Sequence, residues 1–351
     1  MRFRAPALFG SLCLCVFALL FAAGVSGTPQ GQEQRVVAIG DIHGDLDSFV
    51  GILQRARLID PVRRWSGGKS ILVQTGDFLD RGPTSRGVID LLMSLQRDAQ
   101  RQGGRVVVLM GNHEAMNIVG DLRYVSNKDY AEFADDRPDT RKRKVDTSKP
   151  AGFAERCEAF RPEGKYGKWL RTLPPVAKIN DSIFLHGGIH PDLPASSVEK
   201  INEAVAGELK AFDVFRDFLV DKDIVGPCDT LDKLTDAAKM ALDKAKGKDA
   251  ETLKAFLGYP GWLVFHDNGP LWFRGYAQWT DTDGASHIQR LTQAFGVARF
   301  VVGHTPQTNG QIGARFGGKV YLIDTGMLAG YVPGGRASAW NILDGKISFI
   351  Y

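Results

Sequence analysis

Three short segments of this 351-residue chain carry residues that could hold metal ions. They are Gly40-Asp41-Ile42-His43-Gly44, Gly76-Asp77-Phe78-Leu79-Asp80-Arg81-Gly82 and Gly111-Asn112-His113-Glu114. Two later fragments, His186-Gly187-Gly188 and Gly303-His304-Thr305-Pro306, have the same character. Carboxylate, imidazole and amide oxygen together suit Mn, Fe or Zn, and the set contains no thiolate. Four of the 7 histidines lie in these fragments, which is more than stray loop histidines would account for. Arg81 and Arg274 each precede a glycine. A guanidinium offers a planar fork of donors that matches two phosphate oxygens, and glycine lets the backbone approach a ligand closely. The chemistry open to such a set is metal-assisted hydrolysis of a phosphate ester.

Asp41, Asp77 and Asn112 follow one another at about 35 residues, the length of a β-α-β unit. Val36–Ile39, Ile71–Val73 and Val106–Met110 precede them and read as buried parallel strands. The ligands then fall just past the carboxyl ends of strands, where open α/β sheets place their sites. Leu46, Phe49, Val50 and Leu53 recur at helical spacing behind Asp45, a candidate N-cap, and Val88, Leu91, Leu92 and Leu95 do the same between the second and third segments. Both predict crossover helices. The stretch 135–149 reads as a solvated, basic loop, and 196–257 as an inserted helical cap broken at Gly226-Pro227. Further strands are expected at Ile183–Leu185, Phe300–Val302 and Val320–Ile323, and a C-terminal hairpin turns at Asp344-Gly345.

In order and in residue type, these motifs resemble the phosphoprotein phosphatase family of calcineurin-like metallophosphoesterases. The resemblance covers most of residues 36–326. Leu271-Trp272-Phe273-Arg274-Gly275-Tyr276 and Ile323-Asp324-Thr325-Gly326 are most similar to its Shewanella-like protein phosphatase branch. The resemblance implies a mixed α/β fold, a metallophosphatase β-sandwich flanked by helices with a helical insert at about 190–260. It implies two divalent ions, Mn foremost with Fe or Zn as options. Asp41, His43 and Asp77 would hold one ion; Asp77, Asn112, His186 and His304 would hold the other, with Asp77 bridging. A hydroxide shared by the ions would attack phosphorus directly, with no phospho-enzyme. Arg81 and Arg274 would clamp the phosphate, and His113, oriented by Asp80, would protonate the leaving group. The implied substrates are phosphoproteins or phosphopeptides, on phosphotyrosine, phosphoserine or phosphothreonine. Two other readings use the same motifs: a dinucleoside polyphosphate hydrolase, and an inactive fold kept as a binding scaffold. The presence of every ligand type weighs against the scaffold.

Composition sets the outer bounds. A hydrophobic fraction of 44% and a charged fraction of 24% are those of an ordinary globular chain. Residues 1–27 have a basic start (Arg2, Arg4), an apolar core and small residues at the end, the pattern of a secretory signal peptide. Residues 28–34 read as a flexible linker, and 35–351 as the catalytic domain. The expected location is therefore secreted or periplasmic, with membrane attachment only if the leader stays uncleaved. A net charge of +4, part of it lost with the leader, is too small to point to nucleic acid. Beyond the leader only Cys157 and Cys228 remain. Neither sits beside a histidine or in an arginine-rich phosphate loop, against cysteine-based phosphatase chemistry. Export would let them pair, and such a bridge is expected to fix the rim of the substrate cleft.

Overall fold

The computed structural model describes residues 34–134, 148–193 and 197–351. The expected leader, most of the linker and the basic stretch 135–147 lie outside these residues.

The apolar runs form two five-stranded mixed sheets. In the first, β1 (Val36–Ile39), β2 (Ile71–Gln74) and β3 (Arg105–Val108) are parallel. The C-terminal hairpin, β9 (Ala339–Leu343) and β10 (Lys346–Ile350), extends that sheet antiparallel to β1. The second sheet runs in the order β4 (Val176–Ile179), β5 (Ser182–Leu185), β6 (Arg299–Val302), β8 (Val320–Leu322) and β7 (Gly313–Arg315). Here β5, β6 and β8 are mutually parallel. The expected third strand is shorter than its apolar run: Leu109 and Met110 stay buried but have left the ladder.

The two-residue period of the strands sorts each sheet's faces. Val36, Ala38, Ile71 and Val73 meet Phe184, Val301, Tyr321 and Trp340 in one cluster, the interior of a β-sandwich. Their neighbours Val37, Ile39 and Leu72 face the other way, onto Phe49, Leu53, Val88 and Leu92. Those four belong to the crossover helices α1 (Leu46–Arg55) and α2 (Ser85–Arg101). Asp45 caps α1 as expected, its side chain accepting from the Ser48 amide at 3.0 Å. α3 (Asn112–Val119) begins on the third motif itself and ends at Gly120, which has a left-handed φ of 83°. The fold is thus the helix-flanked metallophosphatase sandwich that the resemblance implies.

Short helices follow: α4 (Asn127–Ala131), α5 (Phe153–Phe160) and α6 (Lys165–Leu170). The insert then forms α7 (Val198–Asp221), α8 (Leu231–Leu242) and α9 (Gly247–Leu257), with Gly226-Pro227 in the break between α7 and α8. Val205, Leu209 and Phe212 of α7 join the same cluster as Val37 and Ile39. Arg216 donates to the carbonyls of Ile118 and Val119, and the Leu231 amide to that of Gly120. The insert therefore buttresses the C-terminal end of α3.

Cys157 on α5 is bonded to Cys228 beside α8, with Cα atoms 5.9 Å apart. The bridge borders a cavity lined by Asn117, Gly120, Arg156 and Arg216, and the groove at Arg81 is lined by Pro83, Ser126, Lys128, Leu328 and Tyr331. The disulfide ties α5, whose Arg156 bonds Asn117 of α3, to the segment before α8, whose Leu231 amide bonds the Gly120 carbonyl. Closing a loop of 71 residues stabilises a chain by about 4 kcal/mol in the chain-entropy model. Cys228→Ser is therefore expected to lower the urea midpoint clearly, with a steeper slope because the unbridged unfolded chain exposes more surface. An unchanged midpoint would show that the bridge contributes little.

Candidate active site

Every sequence-expected ligand lies just past the carboxyl end of a parallel strand or opens the helix that follows. Asp41 follows β1, Asp77 follows β2 and Asn112 starts α3, while His186 follows β5 and His304 follows β6. The turns that aim them are unusual. Left-handed backbone occurs at His43 (φ 48°), Asp77 (54°), Asp80 (68°), Arg81 (66°) and His304 (68°). Each such non-glycine residue costs of order 1–3 kcal/mol, and such positions cluster at functional sites. The glycines are needed for close approach. A Cβ on Gly303 would stand 2.4 Å from Oδ1 of Asp41, and one on Gly111 2.3 Å from Oδ1 of Asp77.

The side chains converge. One ligand atom from each of Asp77, His186 and His304 lies within 4.8 Å of the others, and the same holds for His43, Asp77 and His113. Nε2 of His186 is 3.2 Å from Oδ2 of Asp77 and 2.9 Å from Oδ1 of Asn112. Nε2 of His43 is 3.9 Å from a carboxylate oxygen of both Asp41 and Asp77. Each ring is held from behind. Nδ1 of His43 bonds the Leu79 carbonyl, Nδ1 of His186 that of Thr75, and Nε2 of His304 that of Trp272, all at 3.0 Å. Such a bond fixes the tautomer and leaves the other nitrogen as a donor toward a metal.

Electrostatics gives the same result. Burial, then the charges of Asp324 and Asp77, push the Asp41 carboxyl well above its usual range. Burial pushes Asp324 up to about 6. Burial also opposes ionisation of Asp77, but His186, His113 and His43 around it hold it well below the carboxylate norm. Burial drives His43 down to about 3 and His304 well below the usual histidine value, so both rings are neutral, as ligands must be. Among the described residues, the ion pairs of Asp41 and Asp77 are all with histidines. Divalent cations would relieve this crowd of buried acids, and the donor set fits them.

His113 is the one ring near Asp77 that is held differently. Its Nδ1 lies 2.7 Å from Oδ2 of buried Asp80, and its Nε2 lies 3.3 Å from Nη2 of Arg81. A cation at Nε2 opposes a metal there, so geometry sets His113 apart from the ligands. Burial opposes its protonation, but Asp77 and Asp80 outweigh that and raise its pKa. Arg81 sits between two half-exposed rings, 4.8 Å from the centroid of Tyr124 and 3.8 Å from that of Tyr331. Arg274 reaches the other flank, where Nη1 donates to the His304 carbonyl at 2.7 Å and to Oγ1 of Thr305 at 3.2 Å.

Sequence reasoning gave no role to several residues that build the site. Glu114 accepts from four backbone amides: Asp77 and Gly111 on Oε2, Phe78 and Leu79 on Oε1. It thereby shapes the second loop. Its place in the first turn of a helix was the available signal. Burial and the Asp77 charge raise it to about 8. Asp324 beside Asp41 and Asn117 beside Asp80 were also passed over.

With this geometry in view, the comparisons with known proteins are direct. The model of the calcineurin-like phosphoesterase family matches residues 34–308, and the chain belongs to that family. A Schizosaccharomyces pombe protein of uncharacterised role is 32% identical over 301 residues, 84% of this chain and 74% of its own length. Shewanella-like protein phosphatase 2 of Arabidopsis thaliana is 37% identical over 207 residues, which is 52% of this chain and about half (53%) of that relative. Among solved structures, the cold-active protein-tyrosine phosphatase of a psychrophilic Shewanella superposes with a TM-score of 0.60 at 25% identity, covering 90% of this chain and 77% of that one. The chain is a metal-binding phosphoesterase, and divalent ions are its cofactors.

Proposed function

We propose that the chain removes phosphate from phosphoprotein side chains, phosphotyrosine foremost, in an oxidising compartment and with manganese as its metal. The observation that carries the phosphomonoesterase reading is the Asp80–His113 pair set against the candidate ligand cluster, since a buried carboxylate that orients an imidazole and raises its basicity suits it to protonate a leaving oxygen. Asp41, His43, Asp77, Asn112, His186 and His304 would hold the two ions. When bound, these supply an activated water at neutral pH and positive charge against the phosphate. Arg81 and Arg274 draw the phosphate oxygens toward the site from its two flanks. His113 gives its Nε2 proton to the leaving oxygen while its Nδ1–H stays on Asp80. The ring is then neutral, and Nη2 of Arg81 is already placed to donate to the bared nitrogen.

The half-exposed rings of Tyr124 and Tyr331 favour an aromatic leaving group, because they offer faces and edges for a phenyl ring to pack on. The protein-tyrosine phosphatase fold match supports this choice. The Cys157–Cys228 bridge supports export, since disulfides persist in oxidising compartments. No helix among the described residues is long and apolar enough to cross a membrane. Hydrolysis of matched phosphotyrosine and phosphoserine peptides and of diadenosine tetraphosphate tests the reading. The peptides should be dephosphorylated, phosphotyrosine fastest, and Tyr331→Ala should raise KM for the phosphotyrosine peptide several-fold. Preference for the dinucleotide would replace this function with the polyphosphate hydrolase.

A further inference from the structure

Behind the Asp80–His113 pair lies a second layer of buried polar side chains. Asn117 is one turn along α3 from His113 and is buried. Its Nδ2 donates to both oxygens of Asp80, at 3.0 and 2.9 Å, and to the His113 carbonyl at 2.8 Å. Its Oδ1 accepts from Nη2 of Arg156 at 2.7 Å. Arg156 is on α5, 2% exposed, with Nε donating to Oδ2 of Asp129 at 3.2 Å and Nη2 3.8 Å from Oδ1 of Asp80. Its guanidinium lies 4.2 Å from the centroid of the Phe160 ring.

An amide can present either end. Turned over, Asn117 would aim its carbonyl oxygen at the Asp80 carboxylate, acceptor against acceptor, and its NH2 at a guanidinium, donor against donor. Arg156 forbids that orientation, because only Oδ1 can accept from it. It also balances charge: two buried carboxylates, Asp80 and Asp129, face one guanidinium and one imidazole. Without Arg156, Oδ1 of Asn117 loses its donor and Asp80 its nearby cation, so Asp80 and the His113 carbonyl alone hold the amide and the grip that keeps Oδ2 aimed at His113 loosens.

We propose that Arg156 is a positioning residue for the leaving-group acid, acting through Asn117 and Asp80 on His113. This rests on the reading of His113 as the proton donor. A packing role alone would predict a loss shared by all substrates. The positioning role predicts a loss that grows with the need for protonation. The chain's neighbour Cys157 bonds to Cys228, which stakes α5 in place from the far side.

The test compares Arg156→Met and Arg156→Lys with wild type, all loaded with manganese, on a phosphoserine peptide and on para-nitrophenyl phosphate. The Met variant should lose about 10-fold in kcat on the peptide, the low end of the range for direct partners of a working side chain, because Arg156 acts at one further remove. KM and bound metal should stay near wild type, and the aryl substrate should lose far less. Lys should restore part of the peptide rate, since it keeps the charge but not the fork. An equal loss on both substrates, or a loss of metal, would overturn the proposal. Where the Met variant does not fold, Asn117→Asp serves, because a carboxylate facing Asp80 should give the same selective loss, and an unselective one would overturn it. If wild type hydrolyses neither substrate, the catalytic reading itself fails. A wild type that is active, beside a Met variant that is not selective, refutes the positioning role alone.

Discussion

Asp77→Asn is expected to cost about 10³-fold or more in kcat/KM on any phosphomonoester, with metal content per chain falling alongside. The metals are asked for several kcal/mol of transition-state stabilisation, and each 1.36 kcal/mol is tenfold in rate. Asp77 is the residue common to both groups of converging ligands, so neither group survives its neutralisation intact. The substitution keeps the size of the side chain, and Oδ1 can still accept from the His113 amide, now 3.0 Å away. Loss of folding is therefore not the expected route. Metal analysis of the purified variant, paired with its kinetics, gives the check. Normal metal content with near-normal turnover would remove Asp77 from the centre of the site.

His113→Asn comes next. It should lower kcat on phosphoserine peptides by about 10²-fold or more, the range for general acid catalysis, and leave metal content near normal. Para-nitrophenyl phosphate, whose leaving group needs little protonation, should suffer far less. The pH profile adds a sign. Burial opposes protonation of the imidazole, but Asp77 and Asp80 outweigh it and raise its pKa above the ordinary histidine value of about 6.5. The acid form is lost as pH rises through that raised pKa, so wild-type turnover on the peptide should fall on the alkaline side. The variant should lack that limb. Metal loss in His113→Asn would instead make His113 a ligand, as its closeness to His43 and Asp77 alone would allow.

The candidate ligands that the structure brings together were legible because their signal is local. Asp41, His43, Asp77, Asn112, His186 and His304 each stand beside a glycine or open a helix at the end of an apolar run, and strand periodicity alone places such residues at one edge of a sheet. The sandwich followed from the same runs, with the end of β3 misjudged by two buried residues outside the ladder. What lies behind the site was not legible. Arg156 reaches Asn117 across 39 positions and Asp129 across 27, through a helix whose docking no motif announces. Tyr124 and Tyr331 are ordinary loop aromatics until folding brings both to Arg81. The place of the disulfide depended on how α5 and α8 dock on α3, which a pair of cysteines in sequence does not reveal.

The most direct test of the account is a metal titration. The protein is stripped by chelation, shown to be metal-free, and given manganese stepwise while phosphotyrosine-peptide hydrolysis and bound metal are followed together. The account predicts no turnover at the start and activity that saturates near about two ions per chain, the stoichiometry of a two-metal site. Magnesium should restore less, because it keeps its waters and prefers an all-oxygen octahedron. Full phosphopeptide hydrolysis by the metal-free protein would contradict it.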